Sequence, residues 1–181
     1  MKLSKTALVA LASLTLSTAA FAETVFTANL VAPAGSFSRT GTAPVAIHID
    51  HYSEDAQVDR LAGILQQKGP NALRDALWDQ EVGYIRIGGG LGYPIAAARS
   101  HDENGGRVIR LMIDRPISPR EVINNSRTVD YPFAYVEIKL DAKGQGTGEF
   151  YQAAKVSLKG DTLTVENYSP QPLKLLGVKA R

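Results

Sequence analysis

The chain contains no cysteine in its 181 residues. This absence excludes disulfide bonds, thiol nucleophiles and cysteine-ligated metal centres. A protein without such cross-links depends on its apolar core, and a domain of this length can bury a core large enough to be stable.

The chain also has little excess charge. The only charged side chains among the first 22 residues are Lys2 and Lys5, so the rest of the chain carries 18 basic and 18 acidic side chains. A protein that binds nucleic acid by electrostatics shows a basic excess or a basic stripe. We therefore expect no nucleic-acid partner.

Long apolar runs are missing except at the N-terminus, where Met1–Ala22 has the pattern of a secretory signal peptide. Two lysines precede the apolar run Ala7–Leu16, and Ala20-Phe21-Ala22 forms a small-residue cleavage site. No later segment approaches the roughly 20 apolar residues that a membrane-spanning helix needs. We expect a signal peptide over residues 1–22 and one mature β-rich domain over residues 23–181. The absence of cysteine and the Ala-rich signal favour a bacterial periplasmic or secreted protein.

Short strand-like runs fill most of the mature chain. Thr24–Val31, Phe133–Leu140 and Thr162–Asn167 are examples, and about nine such runs occur. Several are separated by hairpin signals such as Asn104-Gly105. The pattern predicts an α+β, β-rich fold, with the strands in an antiparallel sandwich or an open barrel.

One stretch, Ser53–Gln80, has a helical period instead. Its apolar residues recur at helical spacing, as at Leu61 and Leu65. Ser53 is the predicted N-cap, while Gly69 can end one helix and Pro70 can begin the next. We expect a helix pair with an elbow at Gly69-Pro70, packed on one face of the sheet.

The sequence gives little support for a metal centre. Alternation along a predicted strand places His48 and Asp50 on the same face. Two ligands make half of a zinc site, which needs three or four. We expect no metal and no cofactor, and His48 with Asp50 is the alternative from which a metal site would have to be built.

The segment Gly88-Gly89-Gly90-Leu91-Gly92 is unusually rich in glycine. A phosphate-binding loop needs a helix directly after it, whereas Tyr93-Pro94 continues as extended chain. Adjacent glycines are costly to order, and a close approach to a ligand would justify them. The predicted ligand contacts are Gly88, Gly89, Gly90, Gly92 and Tyr93, with an ordinary turn as the alternative.

Aromatic residues concentrate between Tyr131 and Tyr135. Phe133 and Tyr135 share one face of a predicted strand, as in a surface on which a ligand stacks. The alternative is a sheet face packed by aromatic side chains. Trp78 lies off the apolar stripe of its helix and is a further candidate contact. The predicted ligand-binding set therefore includes Tyr131, Phe133, Tyr135 and Trp78.

Five segments of the C-terminal part form a further pattern. They are Asp130–Phe133, Val136–Asp141, Gly144-x-Gly146-x-Gly148, Ala153–Lys155 and Val165–Tyr168. In these segments the chain resembles a group of exported bacterial hypothetical proteins of unknown function. The resemblance extends over most of the mature chain. It implies an exported β-rich domain and carries no implication about activity, cofactor or site residues.

No assembled catalytic motif accompanies these features, and a G-x-S-x-G nucleophile turn is missing. We expect a non-catalytic periplasmic or secreted domain that binds a partner protein or a small ligand. One alternative is a cell-envelope hydrolase that uses carboxylates or His48 with Asp50. The other is a structural component of an envelope assembly.

Overall fold

A computed structural model of the protein describes residues 23–33, 41–117, 130–160 and 162–181. The predicted signal peptide lies outside these residues. The described residues form ten strands and one helix, α1 (Asp55–Leu77). The strands are β1 (Thr24–Val31), β2 (Thr42–Ile49), β3 (Gly83–Ile87), β4 (Gly92–Ile95), β5 (Ala97–Glu103), β6 (Gly106–Ile113), β7 (Phe133–Leu140), β8 (Gln145–Lys159), β9 (Thr162–Asn167) and β10 (Leu173–Ala180).

The strands form one antiparallel sheet that is nearly closed into a barrel. Their order is β4-β3-β2-β1-β10-β8-β7-β6-β5, and β9 pairs only with β8. β4 and β5 stand at opposite ends of this order, yet only Ala96 separates them in the chain. The N–H of Ala96 donates to the carbonyl of Met112 on β6 over 2.9 Å. This bent segment therefore joins the two ends of the sheet, and the predicted β-rich antiparallel fold is confirmed as a barrel.

The barrel is filled by its own side chains. Alternate residues of the barrel strands turn inwards, as Val136 and Ile138 of β7 and Phe150 of β8 do, and all three are fully buried. A barrel of about eight strands is just wide enough for side chains to fill its interior. The interior is thus the main hydrophobic core of the protein.

Strand β8 is 15 residues long and serves two parts of the fold. Its first part pairs with β7 and β10 in the barrel. Its last part, from Ala154 to Lys159, pairs with β9 in a hairpin that extends the sheet. Because β8 is continuous, the β8–β9 hairpin extends from the barrel and lies alongside α1.

α1 packs on the outer face of the barrel. Leu61, Leu65, Leu73 and Leu77 are its buried residues, and they belong to the same apolar cluster as Phe133 and Val156 of the sheet. The predicted placement of the helical stretch on one face of the sheet is therefore confirmed. This second cluster is separate from the barrel interior.

The predicted helix pair is wrong, because the structure contains one helix with a kink. Gly69 breaks the helical geometry with φ 81° and ψ −177°, a left-handed φ that glycine adopts without a steric penalty. Gln57 Nε2 nevertheless donates to Gln80 Oε1 over 3.0 Å. A straight helix of this length would span about 35 Å, so α1 doubles back at the kink.

Ser53 is not the N-cap of α1, contrary to the prediction. The N-cap is Glu54, which makes no side-chain capping bond. Ser53 is buried instead, and its Oγ accepts a hydrogen bond from the N–H of Ala98 over 3.2 Å. Its own N–H donates to the carbonyl of Ala98 over 2.8 Å. Ser53 thereby fixes the start of α1 to β5.

Candidate ligand slot beneath the helix

A cavity of about 630 Å³ lies between α1 and the outer face of the sheet. Protein interiors are close-packed and contain few voids larger than a water molecule, whereas ligand sites have volumes of about 300–1,000 Å³. We call this cavity the helix slot. Its lining includes Leu61, Ala62 and Leu65 of α1, Arg99, Arg110 and Tyr135 of the sheet, and Leu158 and Leu163 of the β8–β9 hairpin.

The apolar lining of the helix slot follows from local sequence periods. The helical period of α1 turns Leu61 and Leu65 towards the sheet. Below them, register places Ala97 opposite Met112, and Met112 opposite Tyr135, so outward side chains of three strands meet. Leu158 and Leu163 pair across the β8–β9 hairpin and close one end. The slot is therefore mainly apolar.

The polar part of the lining includes two arginines. Arg99 of β5 stands opposite Arg110 of β6 in the strand pairing. Nε of Arg110 donates to Oε2 of Glu137 on β7 over 3.0 Å. Arg99 donates to the carboxylate of Asp55 in the first turn of α1. Each arginine thus has one carboxylate partner and still reaches the slot.

Tyr135 contributes a hydroxyl group beside Arg110. This hydroxyl donates to Oε2 of Glu137 over 3.4 Å, and the ring meets that of Tyr151 edge to face with 5.6 Å between the centroids. Burial, followed by the neighbouring carboxylate of Glu137, raises the pKa of Tyr135. The hydroxyl therefore stays protonated at neutral pH and is a hydrogen-bond donor.

A pair of carboxylates lies next to the slot on the same outer face, where Glu137 of β7 stands opposite Glu149 of β8. Burial alone would raise the pKa of Glu137, but hydrogen bonds from Arg110 and Lys139 outweigh it and lower the pKa. A hydrogen bond from Lys174 lowers the pKa of Glu149. Both groups are ionised at neutral pH. A general acid works best with a pKa near the working pH, so neither carboxyl group suits that role.

The glycine segment forms the turn between β3 and β4. The N–H of Gly88 donates to the carbonyl of Pro44 over 2.7 Å, and the N–H of Gly90 donates to the carbonyl of Ile87 over 3.3 Å. A side chain added at Gly88 or Gly89 would meet no atom within 4 Å. These glycines, Gly92 and the 37% exposed Tyr93 are not among the residues that line the helix slot.

The predicted aromatic residues separate into different environments. Tyr135 lines the helix slot, whereas Phe133 is fully buried beneath α1. Tyr131 donates its hydroxyl to Glu166 and meets Tyr168 edge to face at 5.3 Å. Of these three predicted residues, the structure therefore places Tyr135 in the slot.

Trp78 directly follows α1 and is 61% exposed. The guanidinium carbon of Arg115 lies 5.5 Å from the centre of its ring. Arg115 in turn donates to the buried carboxylate of Asp114 over 3.0 Å. Trp78 therefore attaches the end of α1 to the segment after β6, away from the slot lining.

His48 and Asp50 do not assemble a metal centre. Nδ1 of His48 lies 2.6 Å from a carboxylate oxygen of Glu23, and its ring stacks on Tyr84 at 4.3 Å. Asp50 is exposed. Within the described ranges, no group of three or more His, Asp or Glu side chains is placed to hold a metal ion. Over the same ranges, no helix combines the length and the apolar character needed to cross a membrane.

Sequence reasoning missed Arg99 and Arg110, although a signal for them was present. A two-residue turn at Asn104-Gly105 fixes the pairing of the flanking strands and places position 99 opposite position 110. Asn104 and Gly105 both have positive φ in the structure, at 51° and 78°. The arginine pair could thus have been found, whereas its position beneath α1 could not.

Comparison with known proteins found no family model, no curated relative and no solved structure that matches the chain. The function has to be inferred from the geometry and chemistry of the helix slot.

Proposed function

We propose that this protein is an exported, non-catalytic binding domain whose helix slot holds a small, mainly apolar molecule. The observation that carries the proposal is the cavity of about 630 Å³ between α1 and the barrel. Its size and its apolar lining with a few polar groups are typical of small-molecule sites. Export rests on the signal-peptide pattern of residues 1–22.

The charged groups beside the slot support binding over catalysis. Arg110 is held by Glu137, and Arg99 by Asp55, so each charge already has a partner. Polar groups in fixed, paired positions can orient a ligand. General acid–base catalysis is most efficient when the catalytic group has a pKa near the working pH, whereas the pKa values of Glu137 and Glu149 are lowered.

The hydrolase alternative has one observation in its favour, the facing pair Glu137 and Glu149. Both carboxylates have a basic partner, and in both the pKa is lowered.

The assembly alternative would need a contiguous apolar surface. The exposed large apolar side chains are Trp78, Leu176 and, around the turn between β3 and β4, Leu91 and Tyr93, and these three locations belong to different parts of the described fold. We therefore favour the binding domain.

The proposal can be tested with N-phenyl-1-naphthylamine, a neutral apolar dye that fluoresces in apolar surroundings. We expect a saturable rise in fluorescence when the dye is titrated into the protein. Ala62 lines the slot, so an Ala62→Phe variant should place a phenyl ring in the cavity and weaken binding of the dye. Ala56→Phe is the matched control, because Ala56 lies on the same helix but is exposed.

Circular dichroism should show that both variants are folded. The slot would be excluded as the site if folded Ala62→Phe bound the dye as well as the wild type. Native mass spectrometry of protein purified from its source gives an independent readout, and we expect a retained small molecule that Ala62→Phe lacks.

A further inference from the structure

We infer that the helix slot selects an amphiphile with one apolar chain and one oxyanionic head group, either a carboxylate or a phosphate. This inference rests on the proposed function and adds the chemical class of the ligand. The juxtaposition that carries it is a pair of facing arginines in the lining of a mainly apolar cavity.

The arginines supply positive charge on the sheet side of the slot. Arg99 and Arg110 face each other across β5 and β6, and their side chains are 42% and 41% exposed. Their carboxylate partners, Glu137 and Asp55, lie outside the slot lining, so the facing guanidinium groups present their positive charge to the slot. Asp59, on the exposed side of α1, is the acidic residue among those that line the slot. An anion between the two arginines would also relieve the repulsion that like charges in facing positions retain.

The donors of this pair are suited to an oxyanion. Arg110 contacts Glu137 through Nε, and Arg99 contacts Asp55 through one terminal nitrogen. A guanidinium group has five N–H donors, and its planar fork fits carboxylate and phosphate oxygens. The hydroxyl of Tyr135 lies beside Arg110 and donates to the same carboxylate, Glu137, so the free donors at this point are those of the arginines. A cationic ligand would meet repulsion here, and a neutral one would leave these donors unused.

The remainder of the slot requires an apolar chain attached to that head group. Leu61 and Leu65 lie on the helix side, and Leu158 and Leu163 lie at the hairpin end. A small polar anion would contact the arginines but would not cover the half-buried side chains of Leu158 and Leu163. Burial of a hydrocarbon chain against them adds binding energy in proportion to the apolar area removed from water. The arginines and the leucines of the lining together fit a ligand with a charged head group and an apolar chain, which is an amphiphile.

The test uses probes that share one chain and differ in the head group. Dodecanoate, dodecyl phosphate, dodecanol and dodecyltrimethylammonium are each titrated against the protein below their micelle concentrations, with displacement of N-phenyl-1-naphthylamine as the readout. We expect at least one of the two anions to bind about tenfold tighter than dodecanol, as a charge-assisted hydrogen bond predicts. The cation should bind more weakly than dodecanol.

Variants then locate the selectivity. An Arg99→Gln/Arg110→Gln double variant should lose the preference for anions, so its affinities for dodecanoate, dodecyl phosphate and dodecanol should converge. Lys139 still pairs with Glu137 in this variant, so the carboxylate keeps a partner and we expect the fold to persist. Arg107→Gln is the matched control, because Arg107 lies on the same strand outside the slot lining.

The possible outcomes separate this inference from the proposed function. If dodecanol binds as tightly as both anions, or if the double variant keeps the preference, the head-group assignment is wrong and the slot remains an apolar site. If none of the probes displaces the dye and the dye itself does not bind, the proposed function fails. A preference for anions that the double variant abolishes and Arg107→Gln retains supports the inference.

Discussion

The two faces of strand β7 differ in how they are covered. Its inward residues, Ala134, Val136 and Ile138, are fully buried in the filled barrel. Its outward residues include Tyr135 and Glu137, which lie beside a cavity and a row of ionised groups. One strand thus takes part in a close-packed core on one side and in an incompletely filled layer on the other.

The filled barrel interior and the incompletely filled layer beneath α1 therefore have different roles. A close-packed core supplies most of the free energy of folding, because its dispersion and burial energies require few voids. The layer beneath α1 can leave a cavity open because the barrel does not depend on it for closure. A binding site can therefore be located in this layer at a modest cost in stability.

The largest expected effect comes from a truncation in the barrel, with a matched truncation in the slot. Leu175 of β10 is fully buried, and we expect Leu175→Ala to lower the free energy of unfolding by about 4 kcal/mol. Leu65→Ala should cost about 2 kcal/mol, because Leu65 already borders a cavity and loses fewer contacts. Urea unfolding measures both values. Equal costs would show that the slot layer is packed as closely as the barrel.

A second prediction concerns the close approach of β7 and β8, the strands that have the barrel interior on one side. Strands β7 and β8 approach so closely at Gly146 that an added Cβ would lie 1.8 Å from the carbonyl oxygen of Lys139. Gly146→Ala should therefore lower the free energy of unfolding by about 3 kcal/mol. Gly89→Ala is the control, since nothing lies near a Cβ at Gly89, and it should stay within about 0.5 kcal/mol of the wild type. A Gly146→Ala protein as stable as the control would contradict this close approach.

Alkaline pH should lower the free energy of unfolding through two tyrosines on the outer face of the barrel, Tyr135 and Tyr151. Burial is the first cause of the raised pKa in both Tyr135 and Tyr151, and the carboxylate beside each adds to it. An unfolded tyrosine loses its proton near pH 10, whereas these two keep theirs to higher pH. The unfolded state then binds fewer protons, so the free energy of unfolding falls as pH rises above about 10, by roughly 1 kcal/mol or more.

Urea unfolding at a series of alkaline pH values, together with ultraviolet titration of the phenols, measures this decline. A Tyr135→Phe/Tyr151→Phe variant should show a smaller decline than the wild type. Tyr93→Phe, at the exposed end of β4, is the control and should change nothing. An unchanged decline in the double variant would mean that other groups cause it.

The smallest expected effect is at Trp78, outside both layers. We expect Trp78→Ala to lower the free energy of unfolding by about 0.5–1 kcal/mol, the usual value of an exposed contact between an arginine and an aromatic ring. Binding of the dye in the slot should be unchanged. A folded Trp78→Ala protein with weakened dye binding would extend the site to the end of α1.

Much of the fold could be predicted from local patterns. The bounds of β1, β7 and β9 match the alternating runs in the sequence, because a half-buried strand imposes a period of two. The position of the helix break at Gly69 was also readable, since glycine and proline act locally. That α1 remains one doubled-back helix was not, because the contact between Gln57 and Gln80 depends on tertiary packing.

The candidate site was less predictable because its residues come from separate strands. The tight turn at Asn104-Gly105 determines that Arg99 faces Arg110. By contrast, Arg110 faces Glu137 across β6 and β7, whose connection is too long to set a register from sequence. The glycine segment was predicted as a ligand contact because of its composition, but its glycines form the turn between β3 and β4. Local composition can identify unusual residues. The slot, however, is formed by pairing between strands that are distant in sequence, and composition does not reveal that pairing.

The length of β8 has a consequence for how a ligand would bind. Because one continuous strand runs from the barrel into the hairpin, the backbone that carries Leu158 is held in extended geometry by strand pairing. This end of the slot is preorganised. A ligand that contacts it would not have to pay for ordering a free loop, and its affinity would reflect the surface it buries.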